Sequence, residues 1–449
     1  MINRLGDTKQ YDLSNLPDHE FAKIVDDFTQ QIENNDVDAE FSLGGLYLVA
    51  SPNQRNIEKA IYWLKSAAEK GHAEAQLELS EIYSGHTEIE HDFSEAFSWC
   101  LKAAEQGVGQ AQNNLGTMYR QGLGVPQDDA QAIHWLKRAS ENGSSMADTN
   151  LGVIFATPGK YFNIEFMLRH LTDAAYARSG MAMGMLAQAY YNGFEGHLDM
   201  DYDAAHYWAM VAAQHDDITG LIILYRLYRD GKGVEENHST AIAYLKRATE
   251  KTNDPLQAYA CYLMGQAYQE GAVIDQNFGM AIQYYEQAVG TVVEAEYTLG
   301  MLIKQYADDA ESNNRAFSLL LSAKHKGYAA AAHALGQYYE EGKYVGRDFT
   351  KAATLYLEAL AGGYTEAAYE LVYLFKQGLG VPKSLTTAHK LTHILIEHVT
   401  DPDGIYQLKK VQDALINEMT LEEFDALSKQ DHQPLPDQPV RLRNGITMH

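Results

Sequence analysis

The sequence has very little cysteine and proline, and it contains no long hydrophobic run. Two cysteines among 449 residues, Cys100 and Cys261, are too few for a disulfide framework or a zinc ribbon. We expect both to be small buried core residues. No apolar stretch reaches the roughly 20 residues that a membrane-spanning helix needs. Ten prolines against 35 glycines suit helices that are separated by glycine turns.

Basic residues are also scarce, because 35 Lys and Arg stand against 61 Asp and Glu, for a formal net charge of −26. Such an excess repels phosphate, so the sequence predicts no nucleic-acid partner and no insertion into or binding to an anionic membrane. An apolar fraction of 46% indicates a globular chain rather than a disordered one. The first sixteen residues lack a cationic segment followed by an apolar one, so we expect no signal peptide and a cytoplasmic location. Signal-independent secretion stays open as an alternative.

One small residue recurs along the chain with a near-constant period. Successive copies are 35 to 40 residues apart. The ten positions are Ala39, Ala75, Ala111, Ala147, Ala182, Gly220, Ala260, Ala295, Ala331 and Ala367. A period of this length is typical of repeat architectures, in which one unit cannot bury its apolar face alone and neighbouring units stack.

A second series of alanines indicates that each unit is a pair of helices. Its members come as pairs seven residues apart, such as Ala96 and Ala103, which is two turns on one helix face. The first helix carries Ala, Leu, Gly and Tyr, as in residues 111–119, and the second carries the alanine pair around an aromatic such as Trp99. We interpret the recurring Ala, Gly, Leu and Trp as packing residues and not as sites.

The best copy of the unit, residues 111–143, has Gly122, Gly124, Val125, Asp128 and Trp135 in place. This pattern resembles the Sel1-like repeat, a relative of the tetratricopeptide repeat, and the resemblance extends over about residues 37–400. It implies an all-α fold, a right-handed superhelical solenoid of about ten two-helix repeats with capping helices. It also implies a bacterial protein that binds other proteins, has no catalytic chemistry of its own and needs no cofactor. Three units depart from the pattern, the fourth at residues 157–163, the sixth at Gly220 and the eighth at residues 305–314.

The ends of the chain differ from the repeats. Residues 1–36 are expected to form an arm followed by a capping helix, because residues 17–33 carry an apolar stripe with helical spacing. The repeats extend over residues 37–400. Residues 401–430 are predicted to form capping helices. The last of these is expected to begin at Thr420, because Thr420 and Glu423 have capping-box spacing. Residues 431–449 contain three prolines and are interpreted as a tail.

Motifs that carry chemistry are absent from the sequence. We find no phosphate-binding loop, no HExxH, no GxSxG and no CxxC, so we predict no catalytic residue. His389 and His393 lie four residues apart, with Glu397 four further on, a spacing that binds Zn²⁺ or Ni²⁺ on one helix face. The alternative is that these histidines align by chance on the second helix of the tenth unit. We predict no metal site, with His389 and His393 as a weak candidate. His86 and His91 form a similar candidate in the loop of the second unit.

Candidate binding residues follow from fold analogy, because the first helix of each unit lines the concave face in superhelices of this type. We expect partner contacts at fixed offsets from the repeated leucine. The candidates are Tyr191, Arg226, Arg229, Tyr259, Tyr262, Gln266, Tyr297, Lys304, Tyr369 and Tyr373. Tyrosine and arginine are the residues that commonly anchor protein interfaces, and the arginines are expected to hold carboxylates. The alternative is that the tyrosines pack between helices with their hydroxyls reaching water.

The sequence therefore predicts a non-enzymatic scaffold that binds a protein or peptide of basic character in a groove. Two alternatives stay open. One is an immunity protein that neutralises a basic toxin, and the other is a secreted effector that binds host proteins. The acidic surface is expected to steer a basic partner toward the groove.

Overall fold

The computed structural model describes residues 16–86, 90–252, 254–306 and 309–430. Within these ranges the chain is helical, and the isolated bridge between Phe194 and Leu198 is the one extended pairing. The chain divides into two compact units, Met1–Glu235 and Glu236–His449. From here on, the word unit refers to these two parts, and each helix pair is called a repeat. The predicted arm up to residue 15 and the predicted tail at residues 431–449 lie outside the described residues.

The described part of the first unit is built from twelve α-helices and one short π-helical turn, Ile82–His86, after α4. The helices are α1 (Asp18–Glu33), α2 (Val37–Val49), α3 (Ile57–Glu69), α4 (Ala73–Glu81), α5 (Phe93–Glu105), α6 (Gly109–Gln121), α7 (Asp129–Glu141), α8 (Ser145–Ala156), α9 (Ile164–Tyr176), α10 (Gly180–Asn192), α11 (Tyr202–Gln214) and α12 (Ile218–Asp230).

The described part of the second unit contains eleven further helices. They are α13 (His238–Thr249), α14 (Gln257–Glu270), α15 (Phe278–Ala288), α16 (Val293–Tyr306), α17 (Ala310–His325), α18 (Ala329–Glu341), α19 (Phe349–Ala361), α20 (Ala367–Gln377), α21 (Leu385–His398), α22 (Pro402–Glu418) and α23 (Leu421–Gln430). We call the even-numbered helices from α2 to α20 the first helices, and the odd-numbered ones from α3 to α21 the second helices.

Within each unit a first helix packs extensively on the second helix that follows it, and each second helix packs on the next first helix. The recurring alanines are fully buried at these contacts, as at Ala111 and Ala132, because small side chains let helices approach closely. The prediction of an all-α fold of stacked two-helix repeats is confirmed. The fourth and eighth repeats, although atypical in sequence, also form helix pairs, α8 with α9 and α16 with α17.

The Leu-Gly step of the first helices places a glycine against the second helix of the same pair. A Cβ atom built on Gly44 would lie 2.7 Å from Leu64 Cγ, and one on Gly116 would lie 2.6 Å from Leu136 Cγ. Both leucines are fully buried. A close-packed interior has no room for that extra methyl group, so the recurrence of glycine at this position follows from the approach of the two helices.

Each second helix begins at a side chain that accepts a hydrogen bond from a backbone N–H two or three residues further on. These N-cap residues are Asn56, Asp92, Asp128, Asn163, Asp201, Asn237, Asn277, Asp309, Asp348 and Ser384. In the best copy of the repeat, Asp128 Oδ1 accepts from the backbone N–H groups of Ala130 and Gln131 at 2.9 and 3.1 Å. Its own N–H donates to the carbonyl of Tyr119 at 2.9 Å and closes the loop between the two helices.

Removal of this cap is expected to destabilise the first unit. Asp128→Ala leaves two N–H groups of α7 without the carboxylate, and the free energy of unfolding should fall by about 1 kcal/mol. Asp129→Ala is the matched control, because Asp129 is half-exposed and the capping bonds of α7 are made by Asp128, so its effect should stay within about 0.5 kcal/mol. Urea unfolding followed by tryptophan emission measures both variants. Equal effects at the two positions would contradict the assigned role of the cap.

A second set of polar contacts joins residues that are thirty positions apart, and we call them the thirty-residue bridges. Each runs from the residue after the repeated small residue to the end of the second helix. The bridges are Glu40–Lys70 at 2.7 Å, Gln76–Gln106 at 2.8 Å, Gln112–Asn142 at 2.8 Å and Glu296–Lys326 at 2.6 Å. Gln76 and Gln112 also donate to the carbonyls of Ala68 and Ala104 in the preceding repeat, at 3.0 and 3.1 Å, so these side chains link consecutive repeats.

Helices flank the repeats at both ends. α1 starts at Asp18, and α22 and α23 follow the last repeat. The capping box is confirmed, since the backbone N–H of Thr420 donates to Glu423 Oε2 at 2.8 Å and the N–H of Glu423 donates to Thr420 Oγ1 at 3.3 Å.

Both cysteines are free and buried, as predicted. Burial raises the pKa of the Cys100 thiol to about 12 and that of Cys261 to about 11. The Cys100 thiol donates to the carbonyl of Ala111 at 3.3 Å, so it fills space between helices.

Candidate partner-binding face

Side chains on consecutive first helices of the same unit contact one another, so these helices share a face. Asn150 on α8 donates to Asn113 on α6 at 2.9 Å. In the second unit, Lys304 Nζ on α16 donates to Gln337 on α18 at 3.2 Å, and His333 on α18 lies 3.0 Å from Glu370 on α20. Of the residues predicted to bind a partner, Lys304 takes part in these contacts between first helices.

In the first unit the predicted residues already contact each other or their neighbours. The Tyr191 ring lies 5.7 Å from that of Tyr202, and the Arg226 guanidinium lies 6.0 Å from the Tyr191 ring centre. Arg229 makes two hydrogen bonds to Asp230, one of them 3.1 Å long, and its guanidinium holds the pKa of Asp230 below the usual range. Arg229 is thus neutralised within the chain.

The first predicted tyrosines of the second unit lie on α14 and form a half-buried group. The rings of Tyr259 and Tyr262 are 6.1 Å apart, and Gln266 Nε2 donates to the Tyr262 hydroxyl at 2.9 Å. Burial raises the pKa of Tyr262, so its hydroxyl stays protonated. These residues therefore combine an apolar surface with a polar edge, which is the property that both the packing and the binding interpretations require.

Tyr297 and Lys304 on α16 border a cavity of about 490 Å³, whose lining also includes Met301, Leu302 and Gln305. Lys304 donates to Glu341 at 3.2 Å as well as to Gln337, so its charge is balanced within the chain. The cavity combines apolar side chains with amide groups. It is therefore suited to an extended segment that carries both apolar and polar groups.

Tyr369 and Tyr373 on α20 are the most exposed of the predicted tyrosines, at 46% and 51%. They lie on the same helix as Glu370. Exposed tyrosines on an ordered helix supply large contact surfaces at small entropic cost.

A further group in the second unit, which we call the tyrosine–carboxylate patch, contains one predicted residue, Tyr297, and four residues that the sequence reasoning missed. It consists of Tyr297, Tyr328, Tyr364, Glu366 and Glu370. The rings of Tyr297 and Tyr328 are 5.0 Å apart. Burial, and then the neighbouring Tyr364, Tyr328 and Glu366, raise the pKa of Tyr297 to about 12. The available signal was the recurrence of tyrosine three residues before the repeated alanine, at positions 328 and 364.

One arrangement brings together the residue types of a hydrolase triad, but its hydrogen bonds are not arranged to activate a nucleophile. Ser140 Oγ donates to Asp148 Oδ1 at 2.7 Å, and His170 Nδ1 lies 2.9 Å from the same oxygen. The hydroxyl proton of Ser140 is therefore directed at the carboxylate and not at the imidazole, which is opposite to the order that activates a nucleophile. Asp148 also occupies the repeat position of Glu40 and Gln76, where the side chains join helices.

Among the described residues, no group of three or more histidine, cysteine, aspartate or glutamate side chains is arranged to hold a metal ion. His393 is exposed and lies 3.6 Å from Glu397. His91 Nδ1 contacts the carbonyl of Ser84 at 3.2 Å, and the side chain of His86 lies outside the description. Nor does any helix in the described ranges combine the length and apolar character that crossing a bilayer requires.

Stacked helix pairs with a shared half-exposed face define an α-helical repeat protein. The sequence model of the Sel1 repeat matches residues 37–72, 73–108, 109–144, 180–217, 226–253, 258–289, 329–364 and 365–394. These matches cover more than half of the chain, which therefore belongs to the Sel1 repeat family. Proteins of this family generally mediate protein–protein interactions and are typically non-catalytic scaffolds.

Three solved structures that are similar to this chain give a comparison. A protective antigen of uropathogenic Escherichia coli with an SLR fold is 20% identical, with a TM-score of 0.52 over 94% of this chain and 99% of its own. A Sel1 repeat protein from Oxalobacter formigenes is 26% identical, with a TM-score of 0.48 over 82% and 98%. An immunity protein from Pseudomonas aeruginosa is 20% identical, with a TM-score of 0.32 over 47% and 80%. Of these three, the first supports the fold and nothing beyond it. No curated relative matches the sequence.

Proposed function

We propose that this protein is a non-enzymatic scaffold that binds a segment of a partner protein along the face formed by its first helices. The observation that carries the proposal is the series of half-exposed tyrosine and polar side chains on consecutive first helices of the second unit. Tyr297, Tyr369 and Tyr373 are its principal members. Ordered side chains on helices lose little entropy when a partner binds, so more of the contact energy appears as affinity.

The residues of the first unit contribute less to this proposal. Because Arg229 is already paired with Asp230, a partner carboxylate would have to displace that contact. The acidic chain, with a net charge of −26, favours a basic partner through steering and charge complementarity. A basic toxin is one such partner, so an immunity role is the second candidate function.

The test is affinity capture from native lysate with two tyrosine pairs replaced. Tyr369→Ala with Tyr373→Ala is expected to reduce retention of one stoichiometric partner by about tenfold or more, since exposed tyrosines are typical interface anchors. The control is Tyr176→Ala with Tyr207→Ala, because those tyrosines are 77% and 59% exposed but lie on second helices. Mass spectrometry identifies the partner and shows whether it is a basic toxin.

Equal retention by both double variants would contradict use of the first-helix face. Loss of the partner in the control alone would assign binding to the second helices instead. Circular dichroism must show the same helical content in all three proteins.

A further inference from the structure

We propose that the tyrosine–carboxylate patch receives an arginine or lysine side chain from an unmodified basic segment of another protein. This inference rests on the proposed function. It specifies which chemical group of the partner is bound and which residues bind it. The patch combines three features that recognise a cation: aromatic ring faces, carboxylates, and a carboxylate oxygen that lacks a hydrogen-bond partner.

The aromatic part of the patch lies on or shortly before three consecutive first helices. Tyr297 lies on α16, Tyr328 precedes α18 and Tyr364 precedes α20, and all three are half-buried. Burial, followed by the carboxylates of Glu366 and Glu370, raises the pKa of Tyr364. The rings therefore stay neutral, and their electron-rich faces attract a cation at short range.

The carboxylate part of the patch has unused hydrogen-bonding capacity. Glu370 Oε1 lies 3.0 Å from His333 Nε2, but His333 Nε2 and Glu370 Oε2 are both buried and make no hydrogen bond among the described residues. Glu366, at the N-terminus of the helix that carries Glu370, is exposed. An ammonium or guanidinium group supplies both the donor and the opposite charge that this oxygen lacks.

The buried glutamates of the thirty-residue bridges provide a comparison. Glu40 and Glu296 also leave one oxygen unbonded, but each holds a lysine at 2.7 or 2.6 Å. In the described part of the chain, Glu370 pairs with a histidine and with no lysine or arginine. Glu370 can therefore pair with a cationic group from another molecule.

The test uses a fluorescein-labelled peptide of alternating arginine, glycine and serine, and the same peptide with glutamine in place of arginine. Anisotropy titrations at low ionic strength give both dissociation constants for the full chain. The arginine peptide is expected to bind about tenfold more tightly, and Glu366→Gln with Glu370→Gln should remove most of that difference. Tyr364→Leu should weaken binding, whereas Tyr364→Phe, which keeps the ring face, should retain it.

The matched control is Glu286→Gln with Glu358→Gln, which changes the net charge by the same amount. Those glutamates pair with Arg315 and Lys324 on second helices, each at 2.7 Å. Loss of affinity in both double variants would show that overall acidity attracts the peptide, and would overturn the assignment to the patch. Equal binding of the arginine and glutamine peptides by the unmodified chain would overturn it as well.

The same variants separate this inference from the proposed function. If the captured partner is lost with Tyr369→Ala and Tyr373→Ala but retained by the Glu366 and Glu370 variant, the scaffold function stands and the cation site does not. The chain's own Arg441 and Arg443 are the competing occupant. If Arg441→Gln with Arg443→Gln tightens binding of the arginine peptide about tenfold, the occupant is this chain and not a partner.

Discussion

Gly44→Ala is expected to destabilise the first unit by about 1 to 3 kcal/mol, whereas Gly45→Ala in the same helix is expected to stabilise it by about 0.5 to 1 kcal/mol. The new methyl group at position 44 would meet Leu64, both at its side chain and at its backbone nitrogen 3.1 Å away. At position 45 a Cβ atom meets nothing within 4 Å, so alanine brings its better helix propensity without a clash.

Urea unfolding followed by tryptophan emission measures both substitutions, since Trp63 adjoins Leu64 in α3. The opposite signs are the informative part of the result, because the two variants have the same composition. Destabilisation by both alanines would indicate that glycine is required for backbone reasons and not because the helices approach closely.

Lys326→Met is expected to destabilise the second unit by about 2 to 3 kcal/mol, because it leaves a buried carboxylate without its counter-charge. Glu296 is 3% exposed and accepts from Lys326 Nζ at 2.6 Å and from the backbone N–H of Gly290 at 3.1 Å. The reverse change, Glu296→Gln, should cost about 1 kcal/mol or less, since Lys326 is 40% exposed and can turn to water. The double variant with glutamine at both positions reproduces the Gln76–Gln106 bridge and should unfold within about 1 kcal/mol of the unmodified chain.

The pH dependence of stability provides a second readout of this bridge. Burial acts to raise the pKa of Glu296, but hydrogen bonds from Lys326, Ser322 and the Gly290 backbone outweigh it, so the pKa lies below the usual value of a glutamate. The stabilisation is therefore present at neutral pH and is lost as the pH falls through the lowered pKa of the folded chain. Thermal unfolding by circular dichroism should show a shallower acid limb for Glu296→Gln. A cost for Glu296→Gln equal to that for Lys326→Met would contradict the asymmetry of burial.

The repeat architecture could be predicted from sequence because period and packing are both local properties. Ala111, Leu115 and Gly116 are close in sequence and lie on one helix face, so their spacing identifies the helix pair directly. The role of Asp128 required the structure. Its recurrence was visible, but its hydrogen bonds to Ala130 and Gln131 depend on where α7 begins.

The site was less predictable, since its contacts depend on residues far apart in sequence. Glu370 meets His333 across 37 positions, and the thirty-residue bridges join helix ends whose pairing no single window contains. Arg229 stays a predicted carboxylate ligand, but its contact within the chain was not predicted. Its position on the first-helix face suggested a carboxylate ligand, but the nearest carboxylate is that of the adjacent Asp230. The available signal for the thirty-residue bridges is the recurrence of paired polar residue types at a fixed distance.

The division of the chain into Met1–Glu235 and Glu236–His449 also divides its chromophores. All four tryptophans, Trp63, Trp99, Trp135 and Trp208, belong to the first unit, and the aromatic residues of the second unit are tyrosine and phenylalanine. Selectively excited tryptophan emission therefore reports on the first unit alone, whereas circular dichroism reports on both. The unmodified chain thus carries an internal label for deciding whether the two halves melt together or in sequence.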